Sequence, residues 1–599
     1  MSEPRSEPPS VDVYGVQTTW LDSTDTERQA TPEAVEAMHA LIGAPPADLE
    51  DRAAIVTRPG RTVPAGSVQC EDGRTLEVAG ALPPDFPLGY HRLRTTTGVE
   101  RVLIVSPGRC WQPMTERAWG WAVQLYAIRS TESQGIGDLA DLRTLRDWAQ
   151  ELGAGFLMIN PLHAVAPTLP QEPSPYLPVT RRWRNPLYLR VDGLPAGPEH
   201  GLIDRDEVWQ TKRAALAGEF AAGPHAGFDT WRAEQGESLA SYATWAALAE
   251  EHGADWQAWP TEFRDPSSRA VAAYAQANRA EIGFHAWLQW RLDSQLREAS
   301  GDLTIVQDLP IGVDGGGSDA WAWQDVLASG AHVGAPPDRL STAGQDWGSP
   351  PMVPWKLRMT GYDAFVQSVR ATIAGAGGLR IDHVMGLFRL WWVPEGGTPL
   401  DGLYVRYPSA DLLDIVALES HRAQALVVGE DLGTVEPGVR AALAEHGIVT
   451  YRVLWFEEDE PASWPAESMA TVTTHDLPTV AGAWSGADAK AQHAAELGTL
   501  AELEASLGKL MAQVPGEYDS TVDAVLAAYR RLAQAPSRLL CATLEDAVAS
   551  EQRPNMPGTT VASNWSVPLP LADVLESPVA HQLAGMLAAA VSTSGSDES

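Results

Sequence analysis

Between residues 119 and 546 eight short apolar runs recur, each followed by a loop and then a helical pattern, and this alternation leaves few architectures open. The runs are WAVQLYAI, GFLMIN, LTIVQD, GLRID, ALVVGE, IVTYRVLWF, MATVTTHD and SRLLCATLED, the first opening at Trp121 and the last at Ser537. They are apolar nearly throughout, the pattern of parallel strands covered on both faces. Between the first two, LADLRTLRDWAQELG puts Leu139, Leu142, Leu145, Trp148 and Leu152 on one helical face and Gly153 at its C-terminal end. Between the fifth and sixth, PGVRAALAEHG opens on proline and closes on Gly447, as a crossover helix should. Helical patterns at 361–375 and 409–423 precede the fourth and fifth strands. Eight such strands predict an α/β fold, a (β/α)8 TIM barrel.

The rest of the chain arranges itself around that barrel. Residues 1–110 read as a small β-sandwich-like module with a flexible start: Thr31-Pro32 caps a short helix, and β-rich runs follow between Gly, Pro and Asp turns. Residues 111–590 form the barrel domain, and 591–599 a disordered tail. Two strand-to-strand spacings exceed a simple crossover, which predicts a mostly helical insertion at about 165–298 and another at about 485–535, over the C-terminal face. The Pro/Gly-rich stretch 334–355 reads as a long loop and lid over the same face.

The formal charge of −35 argues against nucleic acid and anionic membranes as partners. The first residues, MSEPRSEPPS, contain no apolar core of a leader, and no apolar run approaches the ~20 residues of a spanning helix, so a cytoplasmic protein is expected. Cys70, Cys110 and Cys541 show no CxxC spacing and offer neither a disulfide framework nor a thiolate zinc site.

Barrels carry their chemistry at the C-terminal ends of the strands, and acids stand there repeatedly. Asp308 closes the third run, Asp382 the fourth, Glu430 the fifth and Asp476 the seventh, with Arg380 and His475 close by. Gathering carboxylates costs several kcal/mol per ion unless partners compensate, so folding alone does not favour such a set. Retaining glycoside cleavage would use one carboxylate as nucleophile and a second as acid, roughly 5–5.5 Å apart. An enolase-type barrel would hold Mg²⁺ on the same acids with a Lys or His base. A zinc hydrolase would recruit His383 and His475, yet neither HxH nor HExxH spacing occurs. The only lysines, 212, 356, 490 and 509, lie outside the strands, which also removes Schiff-base chemistry. Glycoside chemistry fits best, and 23 Trp against 9 Phe agrees with sugar stacking. Side chains alternate along a strand, so Glu430 should face the barrel mouth while Asp431 turns into the next loop as a hydrogen-bond acceptor.

At these residues the sequence resembles the amylomaltase, or 4-α-glucanotransferase, family. The motifs are GLRIDHVMGLFRLWWVPEG (378–396), VVGEDLGTVEP (427–437), TTHDLPTVAG (473–482), SPYLPVTRRWRNPLYL (174–189), GAPPDRLSTAGQDWGSP (334–350) and a closing LED, NMPGTT and NW between 544 and 565. The resemblance implies that Asp382 is the nucleophile, Glu430 the general acid/base and Asp476 the transition-state stabiliser. It implies that Arg380 holds Asp382 ionised, and that Tyr176, Asp308, His475 and Trp347 bind the sugar. It further implies transfer of α-1,4-glucan segments among maltose, maltodextrins and a glucose acceptor, without metal or cofactor. An amylase-like hydrolase on the same barrel and the Mg²⁺ enolase-type barrel are the alternative readings.

Overall fold

The computed structural model describes residues 11–592 apart from residues 23, 25, 114, 115 and 338–342. The expected flexible start and most of the expected tail lie outside the described residues; a helix, Pro578–Ser592, covers 591 and 592. The barrel strands are β1 (Ala118–Val123), β2 (Phe156–Ile159), β3 (Thr304–Leu309), β4 (Gly378–Ile381), β5 (Leu426–Gly429), β6 (Val449–Val453), β7 (Ser468–Thr471) and β8 (Leu539–Thr543). All pair in parallel, each with its neighbours in sequence, and β8 closes on β1. Every residue of β4 through β8 is buried, which is why these strands read as unbroken apolar runs.

The helix after β1, Leu139–Glu151, starts in a reciprocal cap in which Asp138 and Asp141 each accept a backbone N–H of the other's residue. It buries Leu139, Leu142 and Leu145, and Trp148 stacks on Trp121 of β1 at 5.6 Å. Helices Arg205–Ala221, Phe228–His252, Arg269–Ala277 and Arg279–Ser300 lie between β2 and β3. Val480–Ser485, Ala487–Ala494, Leu500–Met511 and Thr521–Leu532 lie between β7 and β8. Thirteen of the 23 tryptophans are buried, among them Trp245, Trp259 and Trp287 in the first insertion. Much of the tryptophan excess is therefore packing, not sugar-binding surface.

The 334–355 stretch departs from the loop expected there. Ala331–Ala335 and Gln345–Ser349 are strands, and Pro354–Met359 is a helix. The two strands join Arg389–Pro394 and Leu403–Arg406 in an antiparallel four-stranded sheet. Residues 331–335 pair on one side with 345–349 and on the other with 391–394, some sixty residues away, and local Pro/Gly content concealed both pairings. In the N-terminal module Ile55–Thr57, Glu100–Val105, Gly89–Thr95, Gly66–Gln69 and Thr75–Val78 form, in that order, one five-stranded sheet over a small apolar core including Val68, Phe86 and Leu93. It is tied to barrel helix Ser409–Ala423 by Arg58 on Asp414 (2.9 Å) and by the Tyr90 hydroxyl on Glu419 (2.6 Å). No helix among the described residues is long and apolar enough to cross a membrane.

Candidate active site

β4 and β5 pair so that Ile381 stands opposite Gly429, which sets the next residues, Asp382 and Glu430, side by side at the barrel mouth on strands about 4.8 Å apart. Gly429 is required by crowding, because a Cβ there would lie 2.9 Å from Val384. The chain turns sharply after Asp382 by placing His383 in the left-handed region at φ 46. That turn aims the His383 N–H at Glu430 Oε2 (2.9 Å), while the Leu432 N–H donates to Oε1 (2.7 Å). Burial, reinforced by the charge of Asp382, overcomes these bonds and the pull of Arg380, and pushes the Glu430 carboxyl up to about 7. Burial likewise lowers His383 to about 4, so its imidazole is neutral at pH 7.

Asp382 is in a different setting. Its Oδ1 lies 3.0 Å from Arg380 Nη1, and its side chain remains 22% exposed to the cleft. The same guanidinium nitrogen donates to both oxygens of Asp308 at 2.7 Å, so the cation between these two acids is Arg380 itself. Burial would weaken that cation, but Asp308 and Asp382 more than compensate and keep it charged. Tyr176 completes the row by donating its hydroxyl to Asp308 Oδ2 at 2.6 Å.

The Tyr176 ring carries the network to the other wall, stacking on His475 at 4.9 Å and 25°. His475 Nε2 is 3.3 Å from Asp476 Oδ2, and Asn555 Nδ2 donates to Asp476 Oδ1 at 2.6 Å. Burial opposes charge on both members of this pair, but their mutual attraction prevails: His475 is raised and Asp476 lowered from their ordinary values. Asp476 does not end β7, contrary to the sequence reading. The strand stops at Thr471, and Asp476 sits five residues later in a loop with its side chain 45% exposed. The apolar-to-acid pattern continues smoothly through MATVTTHD, so the break is invisible until pairing with β8 is seen to end at Thr471 and Cys541.

Asp431 points away from the mouth and is fully buried. It accepts the Tyr451 N–H and Arg440 Nε, both at 2.7 Å, with Arg452 at 3.6 Å. Trp347, on the Gln345–Ser349 strand, stands edge-on to His383 at 5.4 Å with its indole N–H held by Gln345. The eight residues singled out from the sequence are thus joined by contacts around the barrel mouth, Glu430 and Trp347 through His383 and the rest through Arg380, Asp308, Tyr176 and His475. Asp382 also borders an apolar cavity lined by Ile311, Trp323, Met352 and Leu387. Sequence reasoning missed Asn555 and also Trp565, whose ring lies 5.5 Å from Tyr176 and 5.4 Å from His475. Both belong to the closing NMPGTT and NW motifs, which gave the signal without the roles. Among the described residues the one trio with metal-ligand spacing is Glu250, Glu281 and His285, in the first helical insertion. There Arg213 already bridges the two carboxylates at 2.6 and 2.8 Å.

A family model described as 4-alpha-glucanotransferase matches residues 123–573, three quarters of the chain. The 4-alpha-glucanotransferase of Mycobacterium tuberculosis is 42% identical over 593 residues, covering 87% of this chain and 82% of that protein. That of Haemophilus influenzae is 34% identical over 463 residues, covering 67% and 66%. The crystal structure of amylomaltase from Corynebacterium glutamicum superposes with a TM-score of 0.83 at 28% identity, covering 96% of this chain and 98% of that one. A closed eight-stranded parallel barrel bearing these motifs, matched over most of its length, belongs to the 4-alpha-glucanotransferase family of glucan-transferring enzymes.

Proposed function

We propose that Asp382, Glu430 and Asp476 carry out a retaining double displacement on α-1,4-glucans. Glu430, neutral at first, protonates the glucosidic oxygen while Asp382 attacks the anomeric carbon from the opposite face and forms a β-glycosyl ester. Glu430, now a carboxylate, removes the proton from the 4-hydroxyl of an incoming sugar, which attacks the ester and restores an α-1,4 bond. Asp476 stays ionised and supports the oxocarbenium-like charge. Tyr176, Asp308, Arg380 and His475 hold the sugar that reacts, and Trp347 borders the acceptor side. Maltose and maltodextrins are the donors, and glucose or a maltodextrin is the acceptor.

The observation that supports this reading best is the contrast between two adjacent carboxyls. Glu430 is sealed and pushed up to about 7, as an acid catalyst needs, whereas Asp382 touches a cation and opens to the cleft, as a nucleophile needs. Water at ~55 M outnumbers a millimolar acceptor by about 10⁴–10⁵, a lead worth ~6 kcal/mol that acceptor binding and water exclusion must offset. The four-stranded sheet carrying Trp347 is the structure placed to do so.

The test uses Glu430→Gln with α-maltosyl fluoride, whose leaving group needs no acid. The ester should form and then persist for lack of a base, so intact-protein mass spectrometry should find one added maltosyl group, and peptide mapping after acid proteolysis should place it on the peptide containing Asp382. An unmodified protein, or label on another peptide, would overturn the assignment.

A further inference from the structure

Asp476 stands five residues beyond the last barrel pairing of its strand, so the barrel's own hydrogen bonds do not fix it. Something else must, and it comes from the loop after β8. Asn555 takes the Asp476 carboxylate at 2.6 Å and donates its backbone N–H to the His475 carbonyl at 3.1 Å. Two residues earlier, Arg553 Nη1 donates to the backbone carbonyl of Asp476 at 3.0 Å. The rest of that guanidinium faces Asp488: Nη2 lies 3.0 Å from Oδ2, and Nε 2.9 Å from Oδ1. Asp488 is 2% exposed, belongs to helix Ala487–Ala494 of the second insertion, and is oriented by Gln492 Nε2 at 2.6 Å.

We propose that Arg553 is a positioning residue for catalysis, and that the helical insertion between β7 and β8 acts on the reaction through Asp488 and Arg553 by fixing the carbonyl of Asp476. A planar guanidinium suits this task because one of its terminal nitrogens donates to Asp488 while the other, held in the same plane, reaches the carbonyl. Two buried side chains thereby hold the backbone of a residue whose carboxylate is half-exposed, beside the neighbouring bonds of Thr479 to the Ser550 carbonyl and of the Val480 N–H to Asp546. The inference rests on the reading of Asp476 as the stabiliser of the transition state.

Removing one partner alone would strand a buried charge and unsettle the fold. The decisive variant is therefore the double replacement Arg553→Met with Asp488→Leu, measured beside Arg553→Lys and Asp476→Asn with maltotriose as substrate. The double variant should keep a thermal midpoint close to the parent's, lose about 10- to 100-fold in kcat, and change KM by less than about threefold. Arg553→Lys, which keeps the charge but not the paired nitrogens, should fall between the double variant and the parent. A merely structural pair would lower stability or raise KM without this loss in kcat. A folded double variant with the parent's kcat overturns the proposal provided Asp476→Asn is inactive; an active Asp476→Asn overturns instead the reading of Asp476 on which it rests.

Discussion

Replacing Glu430 by Gln should change the stability of the protein in a pH-dependent way, because an ionisable group is being removed from a site that disfavours its charge. The carboxyl is pushed from an ordinary 4.5 to about 7 in the folded chain. For a raised carboxyl the sign is fixed: its folding contribution is complete below about 4.5, declines as pH rises, and is fully lost above about 7. At 1.36 kcal/mol per unit, the loss is about 3 kcal/mol at pH 8.5 and about 1 kcal/mol at pH 5, a swing of about 2.5 kcal/mol. Gln escapes the whole of this. It pays a pH-independent cost of about 1–2 kcal/mol instead, since one amide oxygen cannot accept both the His383 and Leu432 N–H groups. A chain of this length unfolds with an entropy on the order of 1.2 kcal/mol/K, so the swing corresponds to about 2 °C if the barrel melts as one unit. Differential scanning calorimetry of the two proteins at pH 5 and 8.5 should therefore show the variant gaining about 2 °C on the parent as pH rises. A pH-independent difference, or one moving the other way, would refute the claim that Glu430 is held neutral by its surroundings.

The remaining predictions concern rate and architecture. The kcat/KM of transfer should fall above pH about 7 as Glu430 loses its proton in the free enzyme, while the lowered Asp476 stays ionised below the ordinary aspartate range; a pH–rate profile flat through pH 8 would contradict the first half. Asp431→Ala should cost about 3–5 kcal/mol of stability, because it leaves the Tyr451 N–H and Arg440 Nε without their acceptor and removes the buried negative charge beside Arg452. Its folded fraction should retain kcat within about tenfold, as thermal melts and kinetics on the same sample would show, and a loss on the scale of a missing catalyst would place Asp431 in the chemistry.

The barrel could be read from the sequence because β4 to β8 are buried on both faces, so each strand announced itself as a local apolar run. Asp382 and Glu430 were legible for the same reason: each follows its strand by one residue, and adjacent strands place them together. Asp431 was separated from Glu430 by strand alternation alone, and its bonds to Tyr451 and Arg440 agree with that placement. What stayed hidden depends on contacts between distant segments. The true end of β7 is set by pairing with β8, the place of the strand pair holding Trp347 by pairing of residues 331–334 with 391–394, and the setting of Asp476 by Arg553, Asp488 and Asn555. None of these leaves a periodic trace in its own stretch of chain. The tryptophan excess carried little of the site, since thirteen of the 23 rings are buried.

Transfer in preference to hydrolysis is the central claim, and the products from maltotriose test it most directly. Incubated with maltotriose alone, the protein should release glucose and build a ladder of maltodextrins longer than the starting trisaccharide, with total reducing ends nearly constant. Glucose and maltose accumulating without longer chains, while reducing ends rise, would show that water and not a sugar hydroxyl resolves the intermediate, and would contradict the account.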